Sequence, residues 1–204
     1  MKVFLVLLIL FFNINLLHAQ EKFHAGIIAG MSTSQVAGDT YSGFNKAGIA
    51  LGAFSKTTFT EKISAQFEIL YIQKGSKHVP NIEKGNYDDY LLQLNYIEVP
   101  ILIRAFYKNF IYEAGPSFGV LVKNKESNNT GDITGIRPFH KTETGINAGI
   151  GYPLSDSFEF NVRYSTSILP IRPHPSGTTY WFNLGQTNTV ISFTLHYQIN
   201  VSKT

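Results

Sequence analysis

The chain has 204 residues, of which 15% are charged and 14% aromatic, with a formal charge of +3 and no cysteine. That length suits one domain with a substantial core, and the aromatic content excludes a disordered chain. Without cysteine there are no disulfides, thiolate metal sites, cysteine nucleophiles or lipoprotein anchor, and without a basic stripe there is no case for nucleic acid.

The first residues, MKVFLVLLILFFNINLLHAQEKF, read as an export signal. Lys2 supplies the positive n-region, Val3 to Phe12 the apolar h-region, and Leu17-His18-Ala19 a cleavage box before Gln20. Asn13 and Asn15 interrupt the apolar run well short of the roughly 20 residues a membrane helix needs. Residues 1–19 are therefore expected to be a cleaved signal and residues 20–204 a single exported domain.

After Gln20 the recurring pattern is alternation at period two, the strand signature. His24–Ser32 and Lys46–Lys56 are glycine-rich strands, and Ile63–Lys74 sets Phe67, Ile69 and Tyr71 against Ser64, Gln66 and Glu68. Leu91–Phe106 and Phe110–Lys123 follow, then Thr142–Tyr152, Ser157–Thr166 and Thr189–Ile199. These make about eight strands of roughly ten residues each. The links alternate strictly. Long polar stretches such as SQVAGDTYSGFN and GSKHVPNIEKGNYDDY are followed by short turns near Thr57–Glu61, Tyr107–Asn109 and Pro153–Asp156. The expected fold is all-β: an eight-stranded antiparallel up-and-down transmembrane β-barrel with short periplasmic turns and long outer loops. Its main rival is a soluble periplasmic barrel.

The polar face of each strand holds mainly Gly, Ser, Asn and Thr with a few charges, which suits a narrow lumen, and the apolar face suits lipid. Phe59, Phe106, Tyr107, Phe110, Tyr112, Tyr152 and Phe158 lie near the short turns and form a candidate interfacial girdle; ordinary core packing is the alternative. In YIEVPILIR, parity puts Ile97, Val99, Ile101 and Ile103 toward lipid and Glu98, Pro100, Leu102 and Arg104 into the lumen. One register across the next turn sets Arg104 opposite Glu113, a pairing whose charge swap would restore assembly. Lumenal pairing is expected among Glu68, Glu98, Arg104 and Glu113, with Glu143 and Glu159 as filler or as partners of Arg163. Pro100 predicts a bulge or local break.

HAGIIAGMSTSQVAGD, GFNKAGIALGAF, SAQFEILYIQKGS, LNYIEVPILIR, YEAGPSFGVLV and GINAGIGY, in that order, resemble the PorT-like outer-membrane β-barrel family of Bacteroidetes. The resemblance covers the whole mature chain and rests most on EILYIQKG and YIEVP. It implies an integral outer-membrane barrel. The namesake member supports protein secretion across that membrane, but the shared motifs are architectural. The ending QINVSKT departs from the terminal aromatic usual for barrel insertion.

No HExxH pair, G-x-S-x-G elbow or phosphate loop occurs, so no cofactor, metal or catalytic residue is expected. The loop IRPHPSGTTYWFNLGQTN carries Arg172, Tyr180, Trp181 and Phe182 as candidate contacts for a partner protein, a surface glycan or lipopolysaccharide; packing on the barrel rim is the alternative. Outer-membrane lipid and lipopolysaccharide are the expected surroundings. The functional expectation is a non-enzymatic outer-membrane barrel, structural or docking through its loops. A small solute channel or a secretion component is the alternative, and a lipid-modifying enzyme a more distant one.

Overall fold

Strands with one apolar face need hydrogen-bond partners on both edges and an apolar medium for that face. In the computed structural model, a closed ring meets the first need. The structure describes residues 23–41, 43–174 and 185–199. The expected signal and the part of the QINVSKT ending beyond Ile199 lie outside them.

In chain order the strands are β1 (Phe23–Ala37), β2 (Lys46–Thr60), β3 (Ile63–His78), β4 (Tyr90–Tyr107), β5 (Phe110–Asn128), β6 (Gly131–Asp132), β7 (Thr142–Pro153), β8 (Phe158–Ser167) and β9 (Thr187–Ile199). The two-residue β6 pairs only with the far end of β5. The other eight form a ring of antiparallel neighbours, closed by β1 against β9 from Ala25↔Ile199 to Ala37↔Thr187. The fold is thus the eight-stranded up-and-down barrel that the alternation predicts. Residues 61–62, 108–109 and 154–157 make the three short turns at one rim, and the long connections gather at the other. Lys108 takes φ 55 in its two-residue turn, a conformation whose cost for a lysine the tight hairpin imposes.

All seven aromatic residues expected at the turn rim are exposed, six of them on the outward parity, whereas Phe106 shares the inward parity of Arg104 and lines the turn-side mouth of the lumen. Phe110 and Tyr152 lie 5.6 Å apart, and Phe158 and Tyr197 4.9 Å apart, as edge-tilted pairs on that outer face. On β4 the outward apolar run from Ile97 to Tyr107 rises roughly 25 Å along the barrel axis, taking about 3.3 Å per residue and a tilt of about 40°. That matches the apolar band of an outer-membrane barrel.

Beyond Ile97 the pattern inverts. On β3 and β4 the outward positions change from Phe67, Ile69, Tyr71 and Ile97 to the polar Gln73, Asn95 and Gln93. The inward positions change the opposite way, from Gln66, Glu68, Glu98 and Arg104 to Tyr96, Leu94 and Leu92, all buried. The lumen is therefore not polar throughout, a correction to the polar lining expected from the strand composition: its outer part is an apolar plug of Ile72, Leu92, Leu94, Tyr96, Val190 and Ile171. The cause is the change of solvent. Above the lipid the outside of the barrel is wet, so apolar side chains bury inward as in a soluble barrel. The same change lets the strands run to 18 and 19 residues in β4 and β5, well past the expected ten or so.

Pro100 causes no bulge. The β4–β5 register is the same before and after it, at Pro100↔Ser117 and Ile103↔Ala114, with the pairing passing over the two positions between. The β3–β4 pairing likewise skips from Phe67↔Ile101 to Leu70↔Glu98. The missing donor is thus absorbed as a local break, and the real register shift lies farther out, between Asn95 and Tyr96, where Val122 is the extra residue on β5. Gly115 belongs to this break: a Cβ there would collide with the Ile101 carbonyl oxygen. Gly115→Ala is expected to lower barrel stability by about 1–3 kcal/mol. Urea unfolding followed by the heat-modifiable gel shift would measure this.

Candidate functional site

Inward parity brings the lumenal charges together, and glycines decide which of them meet. Arg104, Glu113, Gly149 and Arg163 lie in one continuous row across β4, β5, β7 and β8. Because Gly149 has no side chain, Arg163 reaches over it to Glu113, Nε donating to Oε1 at 2.6 Å; a Cβ on Gly149 would stand 2.8 Å from that oxygen. Arg163 also grips Glu68 with both terminal nitrogens at 2.7 Å each. Arg104 donates to Glu113 Oε2 at 3.2 Å and to Gln66 Oε1 at 2.8 Å, and Gln66 donates to Glu68 Oε1 at 2.7 Å. The bonds close a circuit, Arg104–Gln66–Glu68–Arg163–Glu113, inside the barrel. Glu159 joins it through Arg104 at the turn-side edge.

A second cluster repeats the device. Glu98, Gly119 and Glu143 share a row, and Lys74 spans the glycine to hold both carboxylates, at 2.7 Å and 3.0 Å. Ser167 and Asn188 donate to the remaining lone pairs of Glu143 at 2.9 Å and 2.8 Å. Lumenal pairing thus reaches beyond the residues expected to share it. Glu98 pairs with Lys74, Glu68 with Arg163, Glu143 with Lys74 and Glu159 with Arg104. Neither Glu143 nor Glu159 is a partner of Arg163, because long side chains reach across the lumen over glycines as well as to the facing strand.

The loop-side mouth closes over the apolar plug. Arg172 is only 2% exposed, so it is not an outward loop contact. Its guanidinium forks onto Glu126 with two 2.7 Å bonds, donates to Gln186, and lies 4.1 Å over the Phe139 ring. Tyr90 donates to Glu126 at 2.6 Å, and Tyr41 stacks on Tyr90 and on His78. Around these groups is a cavity of about 250 Å³ whose walls include Asp39, Tyr41, Ile136 and Arg137. Burial pushes the Asp39 carboxyl up, against hydrogen bonds to Ser76 and the Tyr41 amide and the nearby Arg172 charge. Tyr180, Trp181 and Phe182 lie outside the described residues.

Residues 18–172 match a family described as the outer membrane protein beta-barrel domain. The chain belongs to that family. No curated protein matches it by sequence. Among solved structures it resembles Ail, the attachment invasion locus protein of Yersinia pestis, at 14% identity and a TM-score of 0.51, over 88% of this chain and all of that one. It also resembles Neisserial surface protein A at 11% identity and a TM-score of 0.51, over 87% of this chain and 97% of that one. At these identities the likeness is one of fold.

Two members of these buried ion pairs, Lys74 and Glu126, were not expected from the sequence of this outer-membrane beta-barrel. Lys74 sits on the inward parity of β3 with Gln66 and Glu68, so continuing that parity would have found it. Glu126 faces inward only because the extra residue Val122 reverses parity on β5, and no local signal announces that shift. Among the described residues no group of three or more His, Cys, Asp or Glu converges as a metal site. Three histidines bond within the scaffold: His196 meets the Thr194 hydroxyl, His78 the Asn86 amide and His140 the Pro170 carbonyl.

Proposed function

We propose that this outer-membrane barrel is a non-enzymatic docking protein with a closed lumen, working through its loop-side mouth. The observation that carries the reading is the filling of the lumen. Two ion-paired clusters occupy its membrane part, an apolar plug occupies its outer part, and the formed concavity with mixed chemistry opens at the loops. There the Tyr41 ring, the Arg137 guanidinium and the Asp39 carboxyl offer a flat face, donors and an acceptor, a set suited to a polar sugar or peptide segment. The export signal read over residues 1–19 supports delivery to the outer membrane. The PorT-like motifs support the architecture: EILYIQKG runs along β3 and YIEVP along β4, inside the wall.

The reading expects the refolded chain to give no discrete conductance steps in planar bilayers. It also expects a photo-crosslinking residue at Thr40 or Ile136, but not at lipid-facing Ile101, to capture one discrete surface component in living cells. Tyr41→Ala with Arg137→Ala should abolish that product. Resolved channel openings would overturn the closed lumen, and identical crosslinking from Ile101 would overturn the mouth.

A further inference from the structure

The outward face of the ring strands carries almost no charge. Going round the barrel, the outward positions of β1, β2, β4, β7, β8 and β9 are apolar or neutral among the described residues. The exceptions are all lysines and all on one side: Lys77 on β3, and Lys123 and Lys125 on β5, each exposed. Pairing fixes their height. Gln73, Asn95 and Lys123 form the first polar row above the apolar band, directly over Tyr71, Ile97 and Val120. Gly75, Gln93 and Lys125 form the next row, and Lys77, Leu91 and Ser127 the one after. Asp132, the acid that feels Lys125, is engaged by Thr134, and Asp88 and Asp89 stand farther out, next to Tyr90.

We propose that this three-strand face is a docking surface for an anionic glycolipid of the outer leaflet. Its acyl chains would lie on Phe67, Ile69, Tyr71, Ile97 and Val120, and its phosphates would meet Lys123, Lys125 and Lys77. Charge complementarity and height together select this occupant. A cation just above an apolar face matches a molecule whose phosphates sit just above its chains, and the half-buried amides of Gln73 and Gln93 between the lysines suit sugar hydroxyls. A soluble anion would gain nothing from the apolar rows beneath. The proposal rests on the outer-membrane placement and not on the mouth reading, since none of these residues lines the mouth cavity.

The test uses the full refolded chain in detergent micelles, titrated with bisphosphorylated lipid A and read by native mass spectrometry. Each lysine beside an anionic surface contributes about a fivefold gain in binding. The parent is expected to favour bisphosphorylated over dephosphorylated lipid A by at least about tenfold. The triple variant Lys77→Gln, Lys123→Gln, Lys125→Gln should lose that preference while keeping its heat-modifiable gel shift. A control with Lys62→Gln and Lys108→Gln at the opposite rim should keep it. Equal binding of the two lipid A forms by the parent, or an undiminished preference in the triple variant, would overturn the proposal. Equally tight binding of phosphatidylglycerol would overturn the choice of a glycolipid.

Discussion

Arg163→Met is expected to destabilise the barrel by about 3–5 kcal/mol, the usual consequence of stranding buried charges. The guanidinium holds Glu68 with two bonds and Glu113 with a third, and it is nearly fully buried. Without it Glu68 keeps only the Gln66 amide and Glu113 only Arg104. Adding Glu68→Gln to Arg163→Met should recover a large part of the loss, because the stranded charge then disappears. Denaturant midpoints of the refolded protein, read by gel mobility and far-UV circular dichroism, would measure both. A single variant within about 1 kcal/mol of the parent would show that the circuit contributes little. The same geometry changes what a charge swap at Arg104 and Glu113 should do. An arginine at position 113 would face Arg163, and a glutamate at position 104 would face Glu159, so the swapped pair is expected to remain defective.

Arg172→Ala is expected to release the mouth without opening the wall. The side chain ties the segment after β8 to Glu126 on β5, to Tyr90 on β4 and to Phe139 in the connection before β7. Removing it leaves Glu126 bonded to Tyr90 but without its cation, at a loss of about 2–4 kcal/mol of loop docking, discounted for the nearby solvent. Limited proteolysis should then cut within residues 129–141 and 168–174, while the strands stay resistant. Arg172→Lys should not restore protection, since an ammonium can neither fork onto Glu126 nor stack flat on Phe139. Unchanged cleavage in the alanine variant would refute this role.

What could be read in advance follows from which solvent each face meets. Between Ile63 and Tyr71, or Ile97 and Phe106, lipid outside and polar filling inside produce a clean alternation, so the strands and the Arg104–Glu113 register were legible. In Gly75–His78 and Lys123–Asn128 the outside is water and the inside is apolar or mixed, so the alternation fades while backbone pairing continues. Hence the outer strand ends read as loop. Partners two or three strands apart, such as Arg163 with Glu113 or Lys74 with Glu143, depend on which glycine stands between them. That is a property of the closed ring and not of any one segment.

The outer extension also sets an altitude. From Tyr96 to Tyr90, β4 climbs roughly 15 Å above the edge of the apolar band, at about 3.3 Å per residue and the same tilt of about 40°. The turn-side aromatics and the row of Lys123 resist sliding in either direction, so that height is held. The Tyr41–Arg137 cavity therefore opens within or just above the polar sugar layer of the outer leaflet. On the docking reading proposed above, a ligand of this mouth must be thin enough to thread that layer, or already belong to it.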